Sequence, residues 1–289
     1  MSKASAHTPF GHEVIARNLT VPESARWREG ELWFTDGSTV KVLGRDGGIR
    51  THARVDCNFL IGLSFTEKGE AIVSDAEGRR VMRITQDGGV GLVVDLSNET
   101  DFMLNEAMAL PDGSIVVDDV GFDLAGHKSP AAARMIHISA DGRVKRTGSP
   151  MLFANGLALT DDGTALLVAE AFGKRIWRYA VIPGEGLDEG IVLITLSESG
   201  LDGVAPASDG NIWYTNIENG HVVLVDRFGV EKRRLYSGFG HATSCALDGT
   251  GSRLFVTALR TMPETIVLPN SGRSSLKFNG DGAIVSIRL

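Results

Sequence analysis

The sequence predicts an all-β protein: a six-bladed β-propeller with four antiparallel strands per blade, formed by residues 1–289 as a single domain. Three observations support this prediction. A turn-and-strand unit occurs six times, the runs between turns are short and rich in Val, Ile, Trp and Tyr, and helical periodicity is almost absent. The spacings between the turn glycines are 39, 44, 50, 47 and 41 residues, for Gly30, Gly69, Gly113, Gly163, Gly210 and Gly251. A period of about 45 residues is typical of propeller blades.

Each repeat places one apolar run before its first turn and two more after it. In the first repeat these runs are ESARW, ELWFTD and VKVLG, and a second turn containing Asp46-Gly47 follows. Asp-Gly pairs supply the positive φ angles that tight hairpin turns require. We therefore expect four strands per repeat, with the run before the first turn lining the central channel.

The two ends of the chain are predicted to share one blade. The sixth repeat has only three strands, of which the last is AIVSIRL, and EVIARNLT at 13–20 is a spare strand before the first repeat. Placing the spare strand at the outer edge of the sixth blade closes the ring and removes an exposed edge. Two segments, 119–134 and 260–280, exceed the repeat and form either a lid or a surface excursion.

Composition excludes several functions. The chain has 29 Lys and Arg against 36 Asp and Glu, a net charge of −7, which disfavours nucleic acid or an anionic membrane as a partner. No apolar run is long enough to span a bilayer and no signal peptide is visible, so we expect a cytoplasmic protein. Cys57 and Cys245 are expected to be free thiols rather than a disulfide.

Four side chains with oxygen donors occur near one phase of the repeat. Asn105, Asn155 and Asp202 lie eight residues before their turn glycines, and Glu23 lies seven before its own. We expect all four at one end of the channel, with a bulge or a shorter turn absorbing the offset of Glu23. Carboxylate and amide oxygens suit Ca²⁺, Mg²⁺ or Mn²⁺. Without a cation the two carboxylates would repel, and one would take up a proton.

Two further residues are candidates for the rim of the site. His241 and Ser244 begin the inner strand of the sixth repeat, and His241 is positioned to donate to a substrate oxygen or to carry a proton. The competing interpretation is a histidine whose hydrogen bonds are satisfied within the fold. The sequence contains no phosphate-binding loop, HExxH, GxSxG or metal-type Cys/His spacing.

The chain resembles the gluconolactonase, regucalcin and luciferin-regenerating-enzyme family over nearly its whole length. Four segments in order carry the resemblance: PESARW at 22–27, ANGLALTDDGTALLVAEAFGKRIWRY at 154–179, LDGVAPASDGNIWYTN at 201–216 and TSCALDGTGSRLFVTA at 243–258. The resemblance implies a six-bladed propeller that hydrolyses sugar lactones or related esters. It also implies one divalent cation, with Ca²⁺ preferred over Zn²⁺, Mn²⁺ or Mg²⁺. Its ligands would be Glu23, Asn155 and Asp202, and Asn105 would contact the metal or the substrate.

One departure from the family pattern bears on the substrate. Met103 and Glu106 stand where the sugar-lactone enzymes have the Arg and Asp of R-x-N-D, and we expect both to contact the substrate. Met103, together with Phe59, favours a substrate less polar than gluconolactone, unless both side chains simply pack in the core.

The sequence therefore predicts a metal-dependent lactonase with a small lactone or ester as its partner. Its catalytic residue would be Asp202, which acts as the general base or orients the attacking water. Two alternatives stay open. One is a different enzyme on the same site, such as an ester or organophosphate hydrolase or an alkaloid-synthase-like enzyme. The other is a non-catalytic propeller that is stabilised by Ca²⁺ and binds a partner.

Overall fold

A computed structural model describes residues 11–268 and 273–289. Throughout these two ranges the regular structure consists of strands, arranged as six antiparallel sheets around a ring, together with one separate hairpin. The predicted six-bladed β-propeller is therefore confirmed. Four residues of the long 260–280 segment, 269–272, and the first ten residues of the chain lie outside the described ranges.

The first three blades follow the chain without interruption, and in each the strands run from the channel outward. Blade 1 contains β2(Pro22–Arg28), β3(Glu31–Asp36), β4(Thr39–Leu43) and β5(Ile49–Arg54), after β1(His12–Leu19). Blade 2 contains β6(Leu60–Phe65), β7(Ala71–Asp75), β8(Arg80–Ile84) and β9(Val90–Asp95). Blade 3 contains β10(Leu104–Ala109), β11(Ile115–Asp119), β12(Ala133–Ile138) and β13(Val144–Met151).

The remaining blades carry two additions to this pattern. Blade 4 contains β14(Ala154–Leu159), β15(Ala165–Glu170), β16(Arg175–Ile182) and β18(Ile191–Thr195), and the short β17(Gly186–Leu187) pairs with the end of β16. Blade 5 contains β19(Leu201–Pro206), β20(Ile212–Asn216), β21(His221–Val225) and β22(Glu231–Tyr236). Blade 6 uses β23(His241–Leu247), β24(Arg253–Leu259) and β27(Gly282–Arg288), and the extra hairpin is β25(Glu264–Val267) with β26(Ser274–Lys277).

The N-terminal strand closes the ring, as predicted. Strand β1 pairs antiparallel with β27 and forms the outer strand of blade 6, whose order is β1-β27-β24-β23. Ala16 lies opposite Ile284, and it packs with Phe34 of blade 1 and Phe255 of blade 6 in one buried cluster. The strand nearest the N-terminus and the strand nearest the C-terminus thus hold each other in register.

The core lies mainly between neighbouring blades. Ile72 and Val81 of blade 2, for example, pack with Leu104 and Val117 of blade 3. Because each sheet buries both faces against its neighbours, strand interiors carry apolar side chains in nearly unbroken runs. This packing fixes the distance of each inner strand from the channel axis.

All six inner strands carry an irregularity at the same place. In β10, for instance, the register shifts between Leu104 and Ala107, and the other five inner strands show the same kind of shift. A bulge bends the strand and changes the direction of the side chains beside it. Here the bulges lie where the strands come closest to one another.

Three glycines make that close approach possible. A Cβ atom would lie 2.2 Å from Ala107 N if added to Gly62, and 2.3 Å from Asp202 O if added to Gly156. At Gly203 a Cβ would lie 2.7 Å from Ser244 Cα. Backbone of the next blade therefore fills the space that a side chain would need.

Two other sequence expectations concern the whole chain. Cys57 is a half-buried and Cys245 a buried free thiol, as expected. No helix among the described residues has the length and apolarity needed to cross a membrane.

We predict that a charge on the core face of β1 destabilises the closed ring. Ala16→Glu would bury a carboxylate without a partner and should lower the free energy of unfolding by about 3 kcal/mol. Glu13→Gln changes an exposed residue of the same strand and serves as the control. Urea denaturation of both variants measures the difference, and equal midpoints would show that β1 does not hold the ring closed.

Candidate metal and substrate site

Four of the predicted site residues lie together at one end of the channel. Glu23, Asn105, Asn155 and Asp202 line one cavity of about 250 Å³. In each of these blades, the first residue of the inner strand pairs with the last residue of the second strand, as Leu104 pairs with Asp119. The site residue is the one that directly follows, as Asn105 follows Leu104. The four positions are therefore equivalent in blades 1, 3, 4 and 5, and the ring directs their side chains to one point.

A shorter turn accounts for the one-residue offset of Glu23. Strands β2 and β3 are joined by Glu29 and Gly30 alone, both with positive φ (54° and 85°). The corresponding connection in blade 3 spans five residues, between Ala109 and Ile115. Counting back from the turn glycine thus reaches Glu23 one residue early, although its place in the sheet is the same.

The four side chains are almost completely buried, and a hydrogen bond joins Asn105 to Asn155. Exposed fractions are 7% for Glu23, 5% for Asn105, 7% for Asn155 and 4% for Asp202. Asn105 Nδ2 donates to Asn155 Oδ1 at 2.7 Å. The Ser24 amide donates to Glu23 Oε2 at 3.1 Å. Two carboxylates and two amides are therefore held in a small space that excludes most solvent.

Burial and mutual repulsion disfavour the charged forms of both carboxylates. Burial, followed by the negative charge of Glu106, raises the pKa of Glu23 to about 8. Burial, followed by the charge of Glu23, raises the pKa of Asp202 well above its usual range. A cation among these oxygens would favour the ionised forms, so the donor set fits a hard divalent ion.

The four candidate donors are not a typical cluster of His, Cys, Asp and Glu ligands. Over residues 11–268 and 273–289, no three His, Cys, Asp or Glu side chains are grouped in a way that could hold a metal ion. The candidate set has only two carboxylates, and its other donors are amide oxygens. Sites rich in carbonyl-type oxygens suit Ca²⁺ and Mg²⁺ rather than soft metals.

Glu106, predicted to contact the substrate, does not line the cavity. Its Oε2 accepts from Arg26 Nη2 at 2.9 Å and its Oε1 accepts from Ser24 Oγ at 2.6 Å. Ser24 has a positive φ of 52° and its Oγ accepts from the Gly62 amide at 2.7 Å. The structure thus places Glu106 in a buried network that links the inner strands of blades 1, 2 and 3.

The two candidates from blade 6 also lie outside the cavity lining, whereas Met103 is part of it. The Nδ1 atom of His241 lies 2.7 Å from Ile217 O, to which it donates. Ser244 is buried, and its Oγ accepts from the Ala25 amide at 3.0 Å. Both residues therefore make contacts within the fold that join blade 6 to its neighbours.

Acidic residues at the ends of the second strands support the site, and sequence reasoning missed them. Asp36 Oδ1 accepts from the Val21 amide at 2.9 Å, just before Glu23. Glu170 Oε1 accepts from the Leu152 amide at 2.7 Å, just before Asn155. These carboxylates therefore hold the segments that lead into the inner strands.

A sequence signal for these residues exists. The second runs of repeats 1, 2 and 4 end in an acidic residue with a basic residue five positions later. Each such pair is an ion pair in the structure: Asp36–Lys41 at 2.5 Å, Asp75–Arg80 at 2.7 Å and Glu170–Arg175 at 2.6 Å. The repeated spacing would have identified these pairs.

The described parts of both long segments contribute to the lining of the cavity. The hairpin region contributes Met262, Pro263, Leu276 and Phe278, and residues 119–134 contribute Val120 and Leu124. Thr265 Oγ1 donates to Ala125 O at 2.6 Å, which joins the two segments. We call the described parts of these segments, residues 119–134, 260–268 and 273–280, the roof.

The chain belongs to the SMP-30/Gluconolactonase/LRE-like region family, whose model matches residues 21–260. A pentonolactonase of Haloferax volcanii is 25% identical over 260 residues, which cover 82% of this chain and 83% of that protein.

Solved structures share the whole propeller at low identity. A luciferin-regenerating enzyme superposes with a TM-score of 0.74 at 19% identity, covering 96% of this chain and 95% of the other. A gluconolactonase of Xanthomonas campestris gives 0.71 at 18% identity, covering 98% and 96%. A calcium-binding regucalcin of Agrobacterium tumefaciens gives 0.70 at 19% identity, covering 95% of each chain. These likenesses establish the shared fold.

We predict that Glu170→Gln destabilises blade 4. Glu170 is fully buried and also accepts from Trp177 Nε1 at 2.7 Å, so losing its charge should lower the free energy of unfolding by about 2 kcal/mol. Glu189→Gln breaks an exposed ion pair with Arg134 and is the control, with no change expected. Chemical denaturation measures the free energy of unfolding of both variants. An unchanged value for Glu170→Gln would show that Glu170 does not stabilise this segment.

Proposed function

We propose that this protein is a metal-dependent lactonase that binds one divalent cation in its central channel. The single observation that carries the proposal is the convergence of Glu23, Asn105, Asn155 and Asp202 from four blades into one buried cavity. Membership of the lactonase-containing family, and the likeness to a pentonolactonase and to a gluconolactonase, support a lactone as the substrate.

Glu23, Asn155 and Asp202 are the proposed cation ligands, with Asn105 contacting the ion or the substrate. When bound, a divalent cation would polarise the lactone carbonyl and stabilise the negative charge that develops on its oxygen. The oxygen-only donor set and the likeness to a calcium-binding regucalcin favour Ca²⁺. Zn²⁺, Mn²⁺ and Mg²⁺ are the alternatives.

Asp202 is the proposed general base. Its carboxylate takes a proton from water while the water oxygen bonds to the carbonyl carbon of the lactone. The bond between that carbon and the ring oxygen then breaks, and the ring oxygen leaves as an alcohol after receiving the proton. In the ion-free protein, burial and the neighbouring negative charge of Glu23 raise the pKa of Asp202. The proposed cation would therefore favour the ionised carboxylate that acts as the base.

The surrounding chain keeps this chemistry away from bulk water. Phe153 and Phe172 form one wall of the cavity, with ring centroids 5.7 Å apart. Leu276 and Phe278 of the roof also line the cavity. A buried, preorganised site strengthens electrostatic interactions with the reacting group.

We predict that Asp202→Asn reduces lactone turnover by roughly 1,000-fold, because the amide cannot accept the proton from water. The side chain keeps its size, so thermal unfolding should stay cooperative. Asp209→Asn alters an exposed turn residue of the same blade and should retain activity. Initial rates in a pH-stat measure both variants, and near-normal turnover by Asp202→Asn would exclude Asp202 as the base.

We also predict that chelation abolishes turnover and that adding back Ca²⁺, Mn²⁺, Zn²⁺ or Mg²⁺ restores it. Because an ion that binds only the folded state stabilises it, saturating Ca²⁺ should raise the unfolding temperature, and about 100 Kd of free ion corresponds to about 2.7 kcal/mol. Glu23→Gln should lose most of this shift.

Turnover assays on a wider set of substrates, combined with the ion-binding measurement, separate the competing functions. Turnover of aryl esters or phosphotriesters without turnover of any lactone would favour a different hydrolase. Ion-dependent stabilisation with no turnover of any of these compounds would favour a binding propeller. Full lactonase activity in the chelated protein would contradict the metal-dependent proposal.

A further inference from the structure

The cavity above the four oxygen donors is unusually apolar for a site that would bind a sugar. Its polar side chains are those four donors and Glu218 at the exposed rim. Among the described residues, no Lys, Arg or His lines it. The remaining side chains of the lining are aliphatic, aromatic or Met. Polar contacts are thus confined to the end of the cavity where the carbonyl would react.

The walls come from several separate parts of the chain. Phe59 and Phe278 meet edge to face with centroids 5.1 Å apart. Phe153 and Phe172 form a second aromatic pair in the lining, and Phe153 adopts a positive φ of 62°. A bulky residue rarely takes that conformation, so the surrounding contacts hold the ring in place at a cost in backbone energy.

Met103 belongs to this apolar wall. It packs against the buried cluster that contains Val21, Phe59 and Ile61, and it also lines the cavity. The two interpretations of Met103, as core packing and as substrate contact, therefore both describe its position. No cationic side chain replaces it nearby in the lining.

These surroundings disfavour a polyhydroxylated ligand. A hydroxyl group buried against Phe, Leu or Met side chains loses its water and gains no partner, which lowers affinity by about tenfold or more for each group. Glu218 adds a negative charge at the rim and no cationic side chain lines the cavity, which also disfavours an anionic substituent.

The size of the cavity limits the ligand further. Its volume of about 250 Å³ exceeds the roughly 150 Å³ of a cavity that accommodates one benzene ring. The cavity therefore has room for a lactone ring that carries one phenyl or short branched alkyl substituent. A long acyl chain does not.

We infer that the substrate is an uncharged lactone with an aromatic or branched alkyl substituent rather than a sugar lactone. The inference rests on the proposed lactonase function and narrows its substrate class. The carbonyl end would face Glu23, Asn105, Asn155 and Asp202, and the substituent would lie among the Phe side chains beneath the roof. Burial of a phenyl ring is the main source of the selectivity.

The test compares three γ-lactones on the ion-loaded protein: γ-phenyl-γ-butyrolactone, unsubstituted γ-butyrolactone and D-ribono-1,4-lactone. Each kcat/KM is divided by the rate constant for hydroxide-catalysed hydrolysis, which removes differences in intrinsic reactivity. We expect the phenyl lactone to exceed the ribonolactone by about 100-fold. Equal values, or a higher value for the ribonolactone, would overturn the inference.

Variants locate the selectivity within the cavity. Phe172→Ala should lower the ratio of kcat/KM for the phenyl lactone to kcat/KM for unsubstituted γ-butyrolactone by about tenfold. Phe228→Ala removes a Phe that is 75% exposed on blade 5, and it is the matched control. Met103→Arg should lower the ratio of kcat/KM for the phenyl lactone to kcat/KM for the ribonolactone. If neither cavity variant changes its ratio of kcat/KM values, these walls do not select the substrate.

Binding of a lactam analogue distinguishes failure of the lactonase proposal from failure of the inference about the substrate. The lactam 5-phenylpyrrolidin-2-one has the same shape and resists hydrolysis, so its affinity can be measured by calorimetry whether or not the protein is a lactonase. Binding of the lactam, weakened by Phe172→Ala, with no turnover of any lactone would contradict the lactonase proposal while supporting an apolar ligand. Absence of lactam binding together with ribonolactone turnover would support the lactonase and overturn the inference.

Discussion

The close approach of the inner strands around the channel axis is the constraint on which the site depends. At Gly156 and Gly203 the backbone of the next blade occupies the space of a Cβ atom. Asn155 and Asp202 directly precede these glycines, so the same bulges that bring the strands together direct the two side chains into one cavity. A wider channel would separate the donors, and a narrower one would leave no room for a ligand.

Burying two carboxylates in this channel has an electrostatic cost that the fold does not offset locally. Arg26 is the nearby cation in the network behind the site, and it pairs with Glu106 rather than with Glu23 or Asp202. Burial is the main reason why the pKa values of both site carboxyls are raised, and the negative charges of Glu106, for Glu23, and of Glu23, for Asp202, raise them further. Perturbed carboxyl groups in a cavity are typical of functional sites, where a ligand supplies the missing charge.

Much of the fold followed from the sequence because each blade repeats the same local chemistry. Regular spacing of turn glycines gave the number of blades, and the incomplete sixth repeat gave the ring closure. The phase of Glu23, Asn105, Asn155 and Asp202 gave their convergence, since equivalent residues in a ring face the same end of its axis. Assigning roles at that convergence required the family resemblance.

The remaining details depend on contacts between distant residues. Glu106 follows Asn105 directly, yet the bulge in β10 turns it away from the cavity and towards Arg26 and Ser24. His241 could be placed near the channel but not assigned to Ile217 O. The roof was unpredictable for a similar reason, because its position depends on contacts such as that of Ser275 with Glu77 across 198 residues.

We propose above all that one cation binds where four blades converge. Crystals grown with Mn²⁺ and measured for anomalous scattering test it most directly, because the ion is located without reference to any activity. We predict one strong peak contacted by the side chains of Glu23, Asn155 and Asp202. A peak elsewhere in the channel, or none at an ion concentration that saturates the thermal stabilisation, would contradict it.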